Sequence, residues 1–356
     1  MLIVDAHEDI AMNVLHGGRD IRQSVAKIRR REDEIAAARG CALIDSPDLA
    51  MVALPEHRLG GVGLVFATLF TMPAALDTMT ANAHEQLRYY HDLAAQDIGV
   101  RLITNQQELQ QLTVDWSAAR TPDDRPVGMV ILMEGADALR EPSDLPAWYA
   151  QGLRIVGPAW RGTRYAGGTG APGPLTDLGR ALLVEMERLG VTLDMSHMAE
   201  ESFWQAIEQF HGTIIASHSN CRALVPTDRQ LSDEMIRAIA ERDGVIGTVM
   251  ANSFLVAGWG KEDKDGNVNN SPVTLADVIR HIDHICQLTG SARHCAIGSD
   301  FDGGFGVEST PEAFDSVADL EKLASALAQA GYSEDDVTGI MGGNWLRLLA
   351  RALPVA

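Results

Sequence analysis

The sequence predicts an α/β chain folded as a (β/α)8 TIM-type barrel with a long insertion after the first strand. Strand-like and helix-like segments alternate from end to end, as a parallel sheet with crossover helices requires. Eight strand-like runs can be counted. Five of them finish at or beside His, Asp or Glu, and strand ends of such a barrel converge on one face where reactive groups gather. The length of 356 residues suits one barrel with insertions, so 1–356 is read as a single domain.

The strands are expected near 2–7, 62–70, 127–133, 153–157, 191–196, 213–217, 244–250 and 294–299. The clearest helices between them are 82–97, 178–189, 200–210, 232–241, 274–289 and 316–330, with a closing helix near 344–352. Thr176 or Asp177 can cap the helix LGRALLVEMERLG, and Gly190 ends it. Residues 10–58 form the insertion, in which KIRRREDEIAAARG (27–40) reads as a solvated helix. Gly/Pro-rich RGTRYAGGTGAPGP (161–174) follows the fourth strand, and polar KEDKDGNVNNSP (261–272) the seventh. Loops after strands build the working face of a barrel.

Hydrophobic residues at 46% and charged residues at 22% are ordinary for a soluble globular enzyme. A net charge of −20 argues against nucleic acid or an anionic membrane surface as partner. No apolar run approaches bilayer length, and a charged pair is reached within nine residues of Met1. Cys41, Cys221, Cys286 and Cys295 contain no C-x-x-C pair, which points to reduced, buried thiols and a cytoplasmic location.

His7 and Asp9 stand two apart at the end of LIVDAHED, so a strand aims both at one face. A second His-x-Asp, His281 and Asp283, falls in a helical segment where the spacing separates them. With His284 it is read as helix surface. Glu134 closes MVILME, where a carboxylate must be solvated, paired or metal-bound. A salt-bridged strand terminus is the plainer option; bridging two cations is the chemical one. His197 and His218 close consecutive strands, each after a serine. A lone histidine is more often a satisfied core residue, but two at equivalent ends fit ligands.

Three imidazoles with two carboxylates suit a two-metal hydrolytic centre. Asp194 alternates away from His197 and reads as a supporting residue. Asp300 ends the last strand in GSDFDGG while Asp302 lies in the turn, so Asp300 is the general acid/base candidate. Gly168 to Gly173 matches G-x-G-x-x-G by letters but contains a proline and follows a loop, so it is set aside as a dinucleotide site. No G-x-S-x-G elbow is present. His84 and His91 read as helix surface.

DAHEDI, LPEHRLGGVGLVFATLF, LTDLGRALLVEMERLGVTLDMSH, IIASHSNCRAL, TDRQLSDEMI, AIGSDFDG and GGNWLR together resemble the renal (membrane) dipeptidase family of the amidohydrolase superfamily. The resemblance runs through most of the chain in order. It implies a barrel holding two zinc ions and hydrolysing dipeptides through a metal-bridging hydroxide. His7 and Asp9 would hold one zinc, His197 and His218 the other, with Glu134 bridging and Asp300 carrying the proton. Arg229 would grip the substrate carboxylate; by itself it reads as a surface ion pair. Trp160 stands where the family has a histidine that contacts the scissile carbonyl oxygen, and Arg161 or Arg164 could restore a positive group.

The expected enzyme is thus a metal-dependent dipeptidase with two Zn2+ per chain; cobalt or manganese would support the same chemistry. One alternative is the same scaffold acting on an N-acyl amino acid or lactam. A more distant one is a metal-stabilised binding protein without turnover. The resemblance also implies a homodimer, which nothing in the sequence independently demands.

Overall fold

A computed structural model describes residues 1–38, 48–262, 266 and 268–355. Its eleven strands are β1 (Ile3–Glu8), β2 (Val62–Phe70), β3 (Val100–Leu102), β4 (Val127–Glu134), β5 (Leu153–Gly157), β6 (Ala166–Gly168), β7 (Ala171–Leu175), β8 (Thr192–Asp194), β9 (Ile214–Ile215), β10 (Ile246–Thr248) and β11 (Cys295–Ile297). Eight of these form the barrel in chain order: β1, β2, β4, β5, β8, β9, β10 and β11. β11 pairs back onto β1, and a parallel bridge from Ala216 to Ile246 joins β9 to β10. These are the eight strands the sequence predicts. β3 lies beside β4 as an additional parallel strand, and β6 with β7 makes an antiparallel hairpin after β5.

The second half of the ring is built from shorter strands than their apolar runs suggest. Past Asp194 the backbone leaves the ladder because side chains take over its donors. Asp194 accepts from the Ser196 and Ser217 amides, and Asp5 accepts in the same way from His7 and Ser299. Buried amides need such partners wherever a strand stops.

Strand residues of alternate parity divide between two apolar layers. Val4, Leu64, Phe66, Val130, Leu132 and Ile155 cluster inside the ring with Trp345. Ile3, Val65, Met129 and their like pack outward against the helices. Trp345 comes from the closing helix Asn344–Ala352; its indole N–H donates to the Ile297 carbonyl at 2.8 Å.

The helix at Asp177–Leu189 starts on Thr176, whose hydroxyl accepts from the Gly179 amide, and stops at Gly190 with φ +72°. The helix expected from 82 begins earlier, at Leu76, where Asp77 sits in its first turn. A helix at Gln106–Ala118, absent from the expected set, is capped by Asn105. The insertion contains helices Ile10–Leu15, Val25–Ala38 and Leu54–Gly60. Residues 39 and 40 of its charged segment and Cys41 lie outside the described residues, as do 263–265 and 267 of the polar loop.

One reading is corrected. His281 is not helix surface but fully buried: Nδ1 accepts from the Cys221 amide at 3.1 Å and Nε2 donates to the Leu255 carbonyl at 3.1 Å. His284 is half-buried against Asp233, and Asp283 is exposed. Cys221 and Cys295 are buried free thiols, while Cys286 is only partly covered. Among the described residues, no helix is long and apolar enough to cross a membrane.

Candidate active site

The mouth of the barrel gathers His7, Asp9, Glu134, His197, His218, Arg229 and Asp300. β1 carries the first two. Asp5 pairs with Val65 of β2 and Glu8 with Ala67, three residues against two, which is a bulge. Bulges re-aim side chains beside functional sites. This one sends Glu8 outward to His57 and turns His7 and Asp9 toward the mouth. The Thr68 hydroxyl of β2 then donates to Asp9 Oδ1.

Glu134 closes β4 and stands at the centre. Its Oε1 lies 3.1 Å from His197 Nε2 and 3.3 Å from His218 Nε2, while Oε2 lies 3.5 Å from His7 Nε2. The Nε2 atoms of His197 and His218 are 3.0 Å apart. Asp300 reaches to within 3.8 Å of His7 Nε2. Both His197 and Asp300 sit at positive φ, +64° and +61°, in the left-handed region that few side chains adopt. Two overlapping groups could hold a metal ion: His7, Glu134 and His218, and His7, Asp9 and Asp300.

The far ring nitrogens of His197 and His218 are occupied, and for His218 this decides the tautomer. His218 Nδ1 lies 2.8 Å from Ser217 Oγ, and that hydroxyl donates onward to Asp194. His218 must therefore donate from Nδ1, and its Nε2 keeps the lone pair. His197 Nδ1 meets the Thr169 hydroxyl at 3.0 Å. Ligating histidines are commonly oriented by such a bond at the other nitrogen. Asp194 plays the supporting part its strand parity suggests. Thr169, Thr68 and Ser217 were not picked out from the sequence. Thr169 lies in the segment set aside as a false glycine motif, and only the serine before each histidine was a readable sign.

The electrostatics fit a cation-binding centre. Burial holds the His197 imidazole down at about 4 and His218 well below its ordinary range, so both stay neutral, the state a ligand needs. His7 behaves oppositely. Burial opposes its charge, but the Glu134, Asp300 and Asp9 carboxylates raise it to about 10. Burial pushes the Asp300 carboxyl well above its usual range, and Asp9 and Glu134 push it further. Three buried acids thus crowd one another and draw positive charge toward them. His7 Nε2 is itself buried without a hydrogen-bond partner. Unpartnered imidazole nitrogen, neutral histidines and a surplus of carboxylate are what a divalent-metal site presents.

Above the cluster opens a cleft of about 510 Å³. Arg229 lies in its wall, 5% exposed, with Nη1 donating to Ser219 Oγ at 3.2 Å and Nη2 to the His218 carbonyl at 2.7 Å. It is no surface ion pair: among the described residues no carboxylate lies within 4 Å of it, and its Nε is unbonded. Trp160 also faces the cleft, with its ring 5.0 Å from Phe70 and 6.5 Å from His197. Arg161 lines the opening, whereas Arg164 is turned away to the Arg140 carbonyl.

The model of the family described as membrane dipeptidase, peptidase family M19, matches residues 1–356. An uncharacterized protein in the pqqA 5′ region of Klebsiella pneumoniae is 36% identical over 240 residues, which is 65% of this chain and 84% of that one. The Aspergillus oryzae dipeptidase aclJ is 31% identical over 184 residues, which is 52% of this chain and only 40% of that protein. Among solved structures, the metallo peptidase called dipeptidase AC superposes with a TM-score of 0.76 at 25% identity, covering 99% of each chain. This chain belongs to the membrane dipeptidase family, peptidase family M19, and is a hydrolase acting on peptide bonds.

Proposed function

We propose that the protein is a binuclear zinc dipeptidase. The observation that carries this reading is Glu134, whose two oxygens face different ligand groups: His197 and His218 on one side, His7 on the other. A carboxylate so placed could serve two cations at once. His7 and Asp9 would hold one ion, His197 and His218 the other, and Glu134 both. Bound there, two zinc ions would polarise the scissile carbonyl and lower the pKa of a bridging water.

The remaining steps belong to the protein. The Arg229 guanidinium, buried and without a carboxylate of its own, receives the free carboxylate of the dipeptide. Its planar fork suits that group, and the substrate supplies the counter-charge the chain withholds. Asp300 faces the cluster on its open side, where it takes a proton from the attacking water and passes it to the departing amine. A carboxyl that is buried, and crowded by two other acids, holds a proton more readily than a free one, as this shuttle demands. Trp160 contributes an apolar wall and one N–H donor beside the reacting carbonyl, with no charge.

A second reading has its own support. Among the described residues, no carboxylate beyond Asp9, Glu134 and Asp300 lines the cleft to receive a free ammonium, so an N-acyl amino acid would also fit.

The test is metal content per chain together with hydrolysis of a dipeptide panel and N-acetylated counterparts by zinc-reconstituted protein. Two ions and turnover of free dipeptides are expected. Turnover confined to blocked amides would select the second reading, and a chain that binds no metal after reconstitution would remove both.

A further inference from the structure

Arg229 is not the only cation at the cleft. Arg161 follows Trp160 on the loop after β5, and its Cζ lies 5.2 Å from the centre of the Trp160 ring. Phe70 braces that ring edge-on from β2. A guanidinium held over an aromatic face keeps its donors pointing outward and has already lost part of its rotamer freedom. The side chain is exposed. Among the described residues, no carboxylate lies within 4 Å of it and no acceptor takes a hydrogen bond from it. Several other arginines of this acidic chain meet an acid, such as Arg19 with Glu32 and Asp302, Arg29 with Asp315 and Arg222 with Glu200. The cleft is different: its acids all belong to the cluster around Glu134, and its two guanidiniums face the cavity without one.

We infer that Arg161 is a specificity-determining residue that receives a second carboxylate, so the preferred substrates are dipeptides with an aspartyl or glutamyl side chain. This rests on the dipeptidase reading of the site, whose Arg229 takes the terminal carboxylate. A neutral side chain would leave Arg161 in water, and a lysyl or arginyl side chain would meet two like charges with no acid to offset them. An acidic side chain completes an ion pair whose cation is already positioned, and the enclosed walls strengthen it relative to open surface. Because Arg161 stands at the opening, screening by water limits the gain, and a discrimination of about fivefold is expected.

The experiment compares phosphinate dipeptide mimics bearing a Glu or a Gln side chain, at each position in turn, binding to the zinc-reconstituted full chain by calorimetry. Turnover of the parent dipeptides is measured alongside. The Glu mimic should bind about fivefold more tightly than the Gln mimic at one position. That ratio should fall to near one in Arg161→Met and recover in Arg161→Lys, a pattern that a merely structural role for the side chain does not produce. Equal binding of Glu and Gln at both positions, or a ratio untouched by Arg161→Met, overturns the inference. A preserved Glu preference without dipeptide turnover supports it and strikes the dipeptidase reading instead.

Discussion

His57 Nε2 lies 2.8 Å from Glu8 Oε2, and both side chains are completely buried. The pair sits behind the cluster around Glu134: the bulge in β1 that turns His7 and Asp9 into the barrel mouth leaves Glu8 on the opposite side, against the helix Leu54–Gly60. A buried carboxyl group is tolerable only while it is bonded. His57→Ala should therefore destabilise the protein by about 2 kcal/mol, the scale for leaving a buried hydrogen-bonding group without its partner, as read from urea unfolding. A loss well under 1 kcal/mol would mean that Glu8 finds another partner and that the pair does not hold the strand end.

The metal assignment makes a stoichiometric prediction. His197→Ala or His218→Ala removes a ligand from one side of Glu134 and leaves His7 and Asp9 on the other. Bound zinc should fall from two ions toward one per chain, with the fold retained. Two ions in both variants would refute this ligand set.

Asp300→Asn keeps the shape of the site and abolishes the proton carrier. Metal content should be unchanged while kcat falls by about 100-fold or more, the scale of general acid/base contributions. Normal turnover would take Asp300 out of the mechanism.

For Arg229→Met the expected change is in KM. A charged hydrogen bond to the substrate carboxylate is worth about 2 kcal/mol, so KM for dipeptides should rise by roughly 30-fold. Because Arg229 also donates to the His218 carbonyl, metal content must be measured in the same samples. An unchanged KM would assign the arginine to structure alone.

Much of this architecture is legible in the sequence because its signals are local. Each barrel strand is an apolar run, and the site residues stand at or just beyond the ends of such runs, so strand position alone separates His7 from His281. What was not legible depends on contacts between distant segments. Nothing near Thr169 indicates that a hairpin turn will carry it to His197, and nothing in HED reveals a bulge that divides Glu8 from its neighbours. Arg229 is the sharpest case. TDRQ looks like a polar surface turn, and only the packing of Ser219, Phe254 and the His218 carbonyl around it makes a buried cation.

His281 offers a pH test away from the catalytic cluster. Burial lowers its pKa to about 4, below the 6.5 of an unfolded histidine. The Cys221 bond acts in the same direction, since Nδ1 accepts from that amide and would have to give up that role on protonation, while the bond to the Leu255 carbonyl opposes the shift without reversing it. Between pH 4 and 6.5 the unfolded chain binds the proton and the folded chain does not. The stability linked to this neutral imidazole is therefore complete above pH 6.5 and falls as the solution is acidified, by about 2 kcal/mol at pH 5. His281→Gln can reproduce both bonds with an amide that does not titrate. The variant should lose less stability than the parent between pH 7 and pH 5, by roughly that 2 kcal/mol. Acid-sensitive groups elsewhere, including the metal ligands, are common to both proteins and cancel in the difference. Parallel stability curves for the two proteins would show that His281 titrates in the fold as it does in the unfolded chain.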